Sequence, residues 1–291
     1  MKLKDKYADL IPADEFPRLF ELFGDLSVLE HPIETDKKDD LGKDILIVES
    51  APIKNVIGAL TTKQARQIIQ TSASLFRLEI ILSGLMNLEH EVFCNNPAAF
   101  MMRFFRLQFS GEVTEHEFTL TETTEKWAVL EALKGLLPST TSESQVTEIR
   151  SVIDELVTNA FFNAPVDRNK KPLFKVRNRS DDFTLPEGQK IKIKIGVAKS
   201  HMLVLVQDPY GSVVVRDILK RLHDIYSHDE PPTPRIGTGG AGLGLKMVLD
   251  RIESFYMVVK PDAYSLFGTL IPTDKGMKKM FSTSKNIHLN Y

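Results

Sequence analysis

Residues 149–163 read IRSVIDELVTNAFFN, and this stretch decides the fold of the chain. Glu155, Asn159 and Asn163 are spaced four apart, so they line one flank of the predicted helix. A carboxylate followed by two amides suits a hydrated Mg²⁺ ion, and a Glu in that place can activate a water or a hydroxyl. The competing interpretation is an ordinary solvated helix face. The apolar stripe that would face the core consists of Ile149, Val152, Ile153, Leu156 and Ala160.

Helical and strand patterns surround this helix, which we expect to run over residues 142–162 with Ser142 or Ser144 as its cap. Their irregular order, with several hairpin-like pairs, predicts an α+β fold, a two-layer sandwich of a mixed β-sheet with helices on one face. The further predicted helices are 122–137, 213–225 and 243–255, and 61–105 is mostly helical. The predicted strands are 44–48, 116–121, 173–176, 190–197, 202–207, 256–260 and 265–271.

The densest glycine cluster reads GTGGAGLGL over residues 237–245 and leads into a predicted helix. Glycines allow a ligand to approach the backbone, and a helix N-terminus directs free N–H groups at an anion. A P-loop is excluded because Leu243, not Lys, follows Gly242. A dinucleotide fingerprint is matched in spacing by Gly237, Gly239 and Gly242, but no strand precedes it. A plain linker is disfavoured because five glycines adjoin an amphipathic helix.

Asp208 ends a predicted buried strand and is followed by Pro209, Tyr210 and Gly211. A carboxylate in an apolar pocket can accept a hydrogen bond from the exocyclic amine of a base. An Asp before Pro and Gly also commonly stabilises its own turn. The residues alone leave both interpretations open.

The three elements occur in one order: E-L-x-x-N-A from Glu155, D-x-x-G from Asp208, and G-x-G-L-G-L from Gly240. In this order the sequence resembles the GHKL ATPase superfamily of gyrase, heat-shock chaperone, sensor histidine kinase and mismatch-repair ATPases. The resemblance covers about residues 112–273. It looks closest to the anti-sigma factor and serine-kinase branch, and to the ATPase halves of soluble bacterial response-regulator fusions.

The resemblance implies ATP and Mg²⁺ as cofactors and gives each matching residue a role. Glu155 would be the general base, Asn159 the Mg²⁺ ligand and Asn163 a phosphate contact. Asp208 would bind the adenine amine, with Gly211 restoring the turn and Thr269 on the late strand behind the base. The triphosphate would lie against Gly237, Gly239, Gly240, Gly242, Leu243 and Gly244. Tyr210 and Ser212 depart from the pattern, because they stand where the first glycine box has glycines.

We expect three segments along the chain. Residues 1–111 would form a regulatory region that is either largely helical or a degenerate receiver-like domain, since Ile45–Pro52 resembles a first strand and acidic turn with only Glu49 in an acidic slot. Residues 112–273 would form the histidine-kinase-like ATPase domain, and 274–291 a polar, peripheral C-terminal tail. His90 lacks the flanking residues of a phosphoacceptor motif, and Trp127 is expected in the core.

Composition restricts the function classes. The chain of 291 residues carries 37 basic and 39 acidic side chains, which argues against nucleic-acid binding. Cys94 is the only cysteine, and no apolar run reaches the length of a membrane span, so we expect a cytoplasmic protein.

The sequence thus favours a bacterial signalling protein that binds Mg-ATP. Its expected partner is another signalling protein, and a homodimer is possible. It would be a soluble protein kinase, a weak ATPase or an anti-sigma-like switch. The alternative is a non-catalytic nucleotide-sensing or scaffold module that acts through protein–protein contacts.

Overall fold

The computed structural model describes residues 45–62, 65–110, 112–227, 243–274 and 285–291. At their centre lies one mixed sheet of eight strands. The strands are β1 Ile45–Val48, β2 Gln67–Gln70, β3 Thr114–Leu120, β4 Ile191–Val197, β5 His201–Asp208, β6 Ser254–Lys260, β7 Tyr264–Pro272 and β8 Asn286–Asn290. The helices are α1 Ile53–Thr61, α2 Phe76–Leu88, α3 His90–Asn95, α4 Pro97–Gln108, α5 Lys126–Leu136, α6 Glu143–Phe162, α7 Val215–Ser227 and α8 Leu243–Arg251. This composition confirms the predicted α+β class.

The strand order across the sheet is β1-β2-β8-β6-β7-β5-β4-β3. Strands β3, β4, β5, β7 and β6 are antiparallel neighbours, whereas β8 runs parallel to β6 and β1 runs parallel to β2. The sheet is therefore mixed, as the sequence predicts. It continues through all three expected segments, and the boundaries after residues 111 and 273 stay a prediction.

Helices cover both faces of the sheet. In β5, Val204 and Val206 belong to the apolar core under α1 and α5 to α8, while Leu203 and Leu205 belong to the core under α2 to α4. This alternation follows from the two-residue period of a strand. The helices of segment 112–273 thus lie on one face together with α1, and α2 to α4 cover the other face. None of the helices in the described ranges is long and apolar enough to cross a membrane.

Helix α6 begins where the sequence predicts. The Ser142 hydroxyl accepts a hydrogen bond from the Gln145 N–H at 3.3 Å, and the Gln145 side chain accepts one from the Ser142 N–H at 2.9 Å. This reciprocal pair satisfies two N–H groups that the first turn of a helix leaves open. The predicted apolar stripe of α6 is buried throughout. This burial also fixes the orientation of the polar flank that carries Glu155, Asn159 and Asn163.

Two short strands correct the sequence prediction. Gln67–Gln70 is strand β2, not part of a helix, and the predicted peripheral tail contains β8, which lies fully buried between β2 and β6. His288 explains the second case, because its ring contacts the Glu79 carboxyl group at 2.7 Å and the Gln67 amide oxygen at 3.1 Å. Partners of this kind allow polar side chains into a buried strand.

Three smaller corrections concern the helical layer and its loops. Leu173–Val176 lies in a loop and forms no strand. Trp127 is 49% exposed rather than part of the core, and Lys126 points inward beside it with an ion pair to Asp154 at 3.0 Å. Helix α8 ends at Arg251 rather than at residue 255.

Candidate functional site

The polar flank of α6 is a continuous chain of hydrogen bonds. The Asn159 amide donates to Oε1 of Glu155 at 2.9 Å, and the Asn163 amide donates to Oδ1 of Asn159 at 2.6 Å. The four-residue spacing therefore brings all three side chains together, as expected for one face of a helix. Glu155 is buried and the two asparagines are half-buried, so the row is more enclosed than a solvated face.

Arg179 binds the Glu155 carboxylate from the loop between α6 and β4. Its Nη1 lies 2.7 Å from Oε2 and its Nη2 lies 3.4 Å from Oε1. The sequence analysis did not single out this pair, because 24 residues of irregular loop separate the partners and no spacing rule predicts their contact. With Asn159 also on Oε1, both carboxylate oxygens accept hydrogen bonds, and Oε2 keeps a second lone pair for a further donor.

Gly244, the second residue of α8, lies directly against Glu155. A Cβ atom at this position would overlap the carboxylate, so only glycine permits the approach. The N-terminus of α8 therefore lies beside the polar row, with Leu243 partly exposed at its first position. Four residues of the predicted phosphate loop lie outside the described residues: Gly237, Gly239, Gly240 and Gly242.

Asp208 is the last residue of β5, lies opposite Ser265 on β7 and is only 2% exposed. Its Oδ1 accepts a hydrogen bond from the Tyr210 N–H at 2.9 Å, which is the predicted turn. Its Oδ2 is buried and makes no hydrogen bond of good geometry within the described residues. The Ser265 hydroxyl and the backbone N–H groups of Gly211 and Ser265 nevertheless lie close enough to stabilise the carboxylate. One oxygen thus holds the turn, and the other has only weakly aligned donors around it.

Burial dominates the titration of this group. It raises the pKa of Asp208 from 3.8 to about 6, and the hydrogen bonds from the Tyr210 N–H, from the Ser265 hydroxyl and from the Gly211 and Ser265 N–H groups offset only part of the effect. Burial and the charge of Asp208 together raise the pKa of Tyr210 to about 12. A carboxyl group held half-satisfied at the end of a strand is a candidate for ligand binding.

Gly211 and Ser212 fix the chain after Asp208. Gly211 has φ +58°, and a Cβ there would overlap the Lys260 carbonyl oxygen, so the turn requires glycine. The Ser212 hydroxyl donates to the Ala164 carbonyl oxygen at 2.7 Å and ties this turn to the end of α6. Ser212 therefore makes a specific contact where the family pattern has a glycine.

Thr269 does not lie beside Asp208. It pairs with Val204, four residues along β7 from Ser265, a separation of about 13 Å at the rise of a strand. Its buried hydroxyl has no hydrogen-bond partner within the described part of the chain. Ser265 takes the place next to Asp208, and only the strand register, which the sequence analysis did not assign, identifies it.

A cavity of about 320 Å³ lies between α6, α7, α8 and β7. Asn159 and Asn163 form part of its wall, and its apolar surface includes Leu245 and Phe267. Phe267 is two residues from Ser265 on the same face of β7, about 7 Å away. The cavity thus extends from the polar row towards the end of β5, and its volume is in the range of small-ligand sites.

A metal ion in this cavity would need ligands from outside the protein. No group of three or more His, Cys, Asp or Glu side chains in the described ranges is placed to hold one. Asn159 Oδ1 accepts one hydrogen bond, and a carbonyl oxygen keeps a second lone pair. This fits Mg²⁺, which retains waters and takes ligand phosphates rather than a complete protein cage.

Comparison with models of known protein families gives no match, and comparison with curated proteins gives no significant match. The assignment of function therefore depends on the chemistry of the site.

Replacing Gly244 with Ala should separate α8 from Glu155. The added methyl group overlaps the buried carboxylate, so we expect a loss of about 1–3 kcal/mol in the free energy of unfolding, measured by urea denaturation. Gly135→Ala in α5 is the control, because no atom lies within 4 Å of its added Cβ. Equal stability of the two variants would show that the α8 contact is not tight.

Asp208→Asn should stabilise the protein in a pH-dependent manner. The pKa of Asp208 is about 6 in the folded chain and 3.8 without burial. Wild type therefore has its full stability below about pH 3.8, where the carboxyl group is neutral, and loses stability as the pH rises through 6. The variant does not ionise and should gain about 3 kcal/mol over wild type between pH 4 and pH 8. Urea denaturation at both pH values measures this gain, with Asp274→Asn as the exposed control. A constant difference between Asp208→Asn and wild type would contradict the burial of a titrating carboxyl group.

Proposed function

We propose that this chain is a Mg-ATP-binding signalling protein of the histidine-kinase-like ATPase type, and that ATP binds in the cavity between α6, α7, α8 and β7. The observation that carries the proposal is the buried carboxylate of Asp208, whose Oδ2 makes no hydrogen bond of good geometry within the described residues. Asp208 lies behind the cavity wall, and its turn leads directly into Ser212, which is part of that wall. Membership of the GHKL superfamily is part of the proposal. It is supported by the way α6, the turn after β5 and the start of α8 meet around one cavity.

Adenine is the base that the end of β5 suits. An exocyclic amine donates a hydrogen bond to Asp208 Oδ2, and this contact offsets the cost of burying a carboxylate. Guanine presents a carbonyl oxygen at the same position, so two acceptors would face each other. The Tyr210 hydroxyl, which lacks a partner among the described residues, can bond a remaining polar atom of the ring or a water beside it.

The phosphates would lie along the polar row. Asn159 and Asn163 line the cavity, and the N-terminus of α8 beside Glu155 favours negative charge there. Bound Mg²⁺ would neutralise phosphate charge, with Asn159 Oδ1 as its protein ligand. Binding would require Asn163 to share or release that oxygen, which it now contacts at 2.6 Å.

Glu155 is the proposed general base, and its ion pair with Arg179 decides whether it acts as one. For phosphoryl transfer to a protein hydroxyl or imidazole, or to water, the carboxylate has to face the acceptor, either through the remaining lone pair of Oε2 or after release from Arg179. The second candidate function is a nucleotide-sensing switch without transfer, and the engagement of both Glu155 oxygens favours it. Both versions involve a signalling protein as partner.

Calorimetric titration of Mg-ATP tests the proposal. Asp208→Asn should weaken binding ten- to a hundred-fold, because it removes a charge-assisted hydrogen bond, whereas Asp274→Asn should bind as wild type does. Asn159→Ala should lose the difference between titrations with and without Mg²⁺. Unchanged affinity in Asp208→Asn would remove the basis of the proposal.

Release of γ-phosphate distinguishes an enzyme from a switch. Arg179→Met frees Glu155 and should raise ATP turnover if Glu155 is a base, while the double variant with Glu155→Gln should lose the increase. Because Glu155 is buried, Arg179→Met leaves its carboxylate without a charged partner and should lower the free energy of unfolding by about 1–3 kcal/mol, so circular dichroism has to show the variant folded before turnover is compared. Intact binding with no turnover in any variant would identify the switch.

A further inference from the structure

The cavity has a positively charged rim. Lys170 and Lys175 line it from the loop after α6, and Arg221 lines it from α7. Lys170 is paired with Asp262 at 2.9 Å. Lys175 and Arg221 are exposed, and no ion pair between described residues includes them, so their charges are available to a ligand.

One acid also lines the cavity. Asp217 lies four residues before Arg221 on α7, at the spacing at which helix side chains can pair, yet no ion pair forms between them. After Lys170 is paired with Asp262, the lining keeps two cations and one anion. This surplus of positive charge contrasts with the whole chain, whose formal charge is −2. The positive charge is therefore a local feature of the cavity lining and does not reflect a basic chain.

Lys175 is placed by packing. Its neighbour Phe174 stacks on Phe183 with ring centroids 4.2 Å apart, and Phe183 packs edge-on against Phe162 of α6 at 5.1 Å. The Arg177 guanidinium covers the Phe174 ring at 5.3 Å. At its end the loop is held by Arg179 on Glu155. These contacts fix the loop on α6, so Lys175 is held beside the cavity.

We propose that Lys175 and Arg221, which line the cavity from two separate segments, hold the terminal phosphates of the ligand, so that the site selects nucleoside polyphosphates over nucleosides and monophosphates. This inference rests on the proposed function. A guanidinium binds two phosphate oxygens in a fork, and an ammonium adds a compact point charge. Together they supply two cations from segments outside the glycine cluster, in a chain whose first glycine box is altered at Tyr210 and Ser212.

Titrations without Mg²⁺ isolate the rim from the metal. The ligands are ATP, AMP and inorganic triphosphate, and the variants are Lys175→Met, Arg221→Met and the double variant. Each single variant should weaken ATP binding about ten-fold through loss of a charge-assisted contact, and the double variant about a hundred-fold. AMP affinity should change less than about two-fold, because AMP does not reach the rim.

Lys171→Met is the matched control, because Lys171 belongs to the same loop and is exposed but does not line the cavity. It should leave all three affinities unchanged, and circular dichroism should show every variant folded. Unchanged ATP affinity in the double variant overturns the rim, while intact wild-type ATP binding keeps the proposed function. An equal loss of AMP and ATP also overturns it, because the effect would then not be specific to phosphates.

Titration with inorganic triphosphate distinguishes phosphate binding by Lys175 and Arg221 from recognition of adenine. If wild type binds triphosphate through these two residues but shows no preference for ATP over triphosphate, their role is supported and the recognition of adenine is contradicted. If wild type binds neither ATP nor triphosphate, both proposals are overturned.

Discussion

The contact between Gly244 and the Glu155 carboxylate is the constraint on which the candidate site depends. Because Gly244 has no side chain, the first turn of α8 lies against α6 at the level of the polar row. Arg179 reaches the same carboxylate from the loop before β4. Three segments distant in sequence therefore converge on one buried acid, and the cavity opens beside them. A larger residue at position 244 would separate the first turn of α8 from the Glu155 carboxylate.

Asp208 is the residue that most strongly indicates a ligand-binding site. A carboxyl group that is almost fully buried, with one oxygen unpartnered among the described residues, destabilises the fold above its raised pKa of about 6. An Asn could hold the same turn with its side-chain oxygen at lower cost. Such a group is understandable where a ligand supplies the missing hydrogen bond. The Tyr210 hydroxyl extends the argument, because it is buried without a hydrogen-bond partner among the described residues and lies near enough to Asp208 for the carboxylate to raise its pKa.

The sequence predicts those parts of the structure that local periodicity controls. The cap and apolar stripe of α6, the row from Glu155 to Asn163, and the strands β4 and β5 all follow from spacing. The sequence fails for β2 and β8, since QIIQ and NIHLN are short and carry polar side chains whose partners, such as Glu79 for His288, are distant in sequence. Ser265 requires the register of β7 on β5. Arg179 and Lys175 require a loop whose position depends on aromatic packing, which no periodicity reveals.

Calorimetric titration of the wild-type chain with ATP and with GTP, each with Mg²⁺, tests the central claim most directly. The account predicts that ATP binds and that GTP binds at least ten-fold more weakly, because Asp208 Oδ2 accepts a hydrogen bond from the adenine amine but repels the guanine carbonyl oxygen. Equal affinities would contradict recognition of the base by Asp208. No heat from either nucleotide would contradict nucleotide binding itself and leave the buried carboxylate without an account.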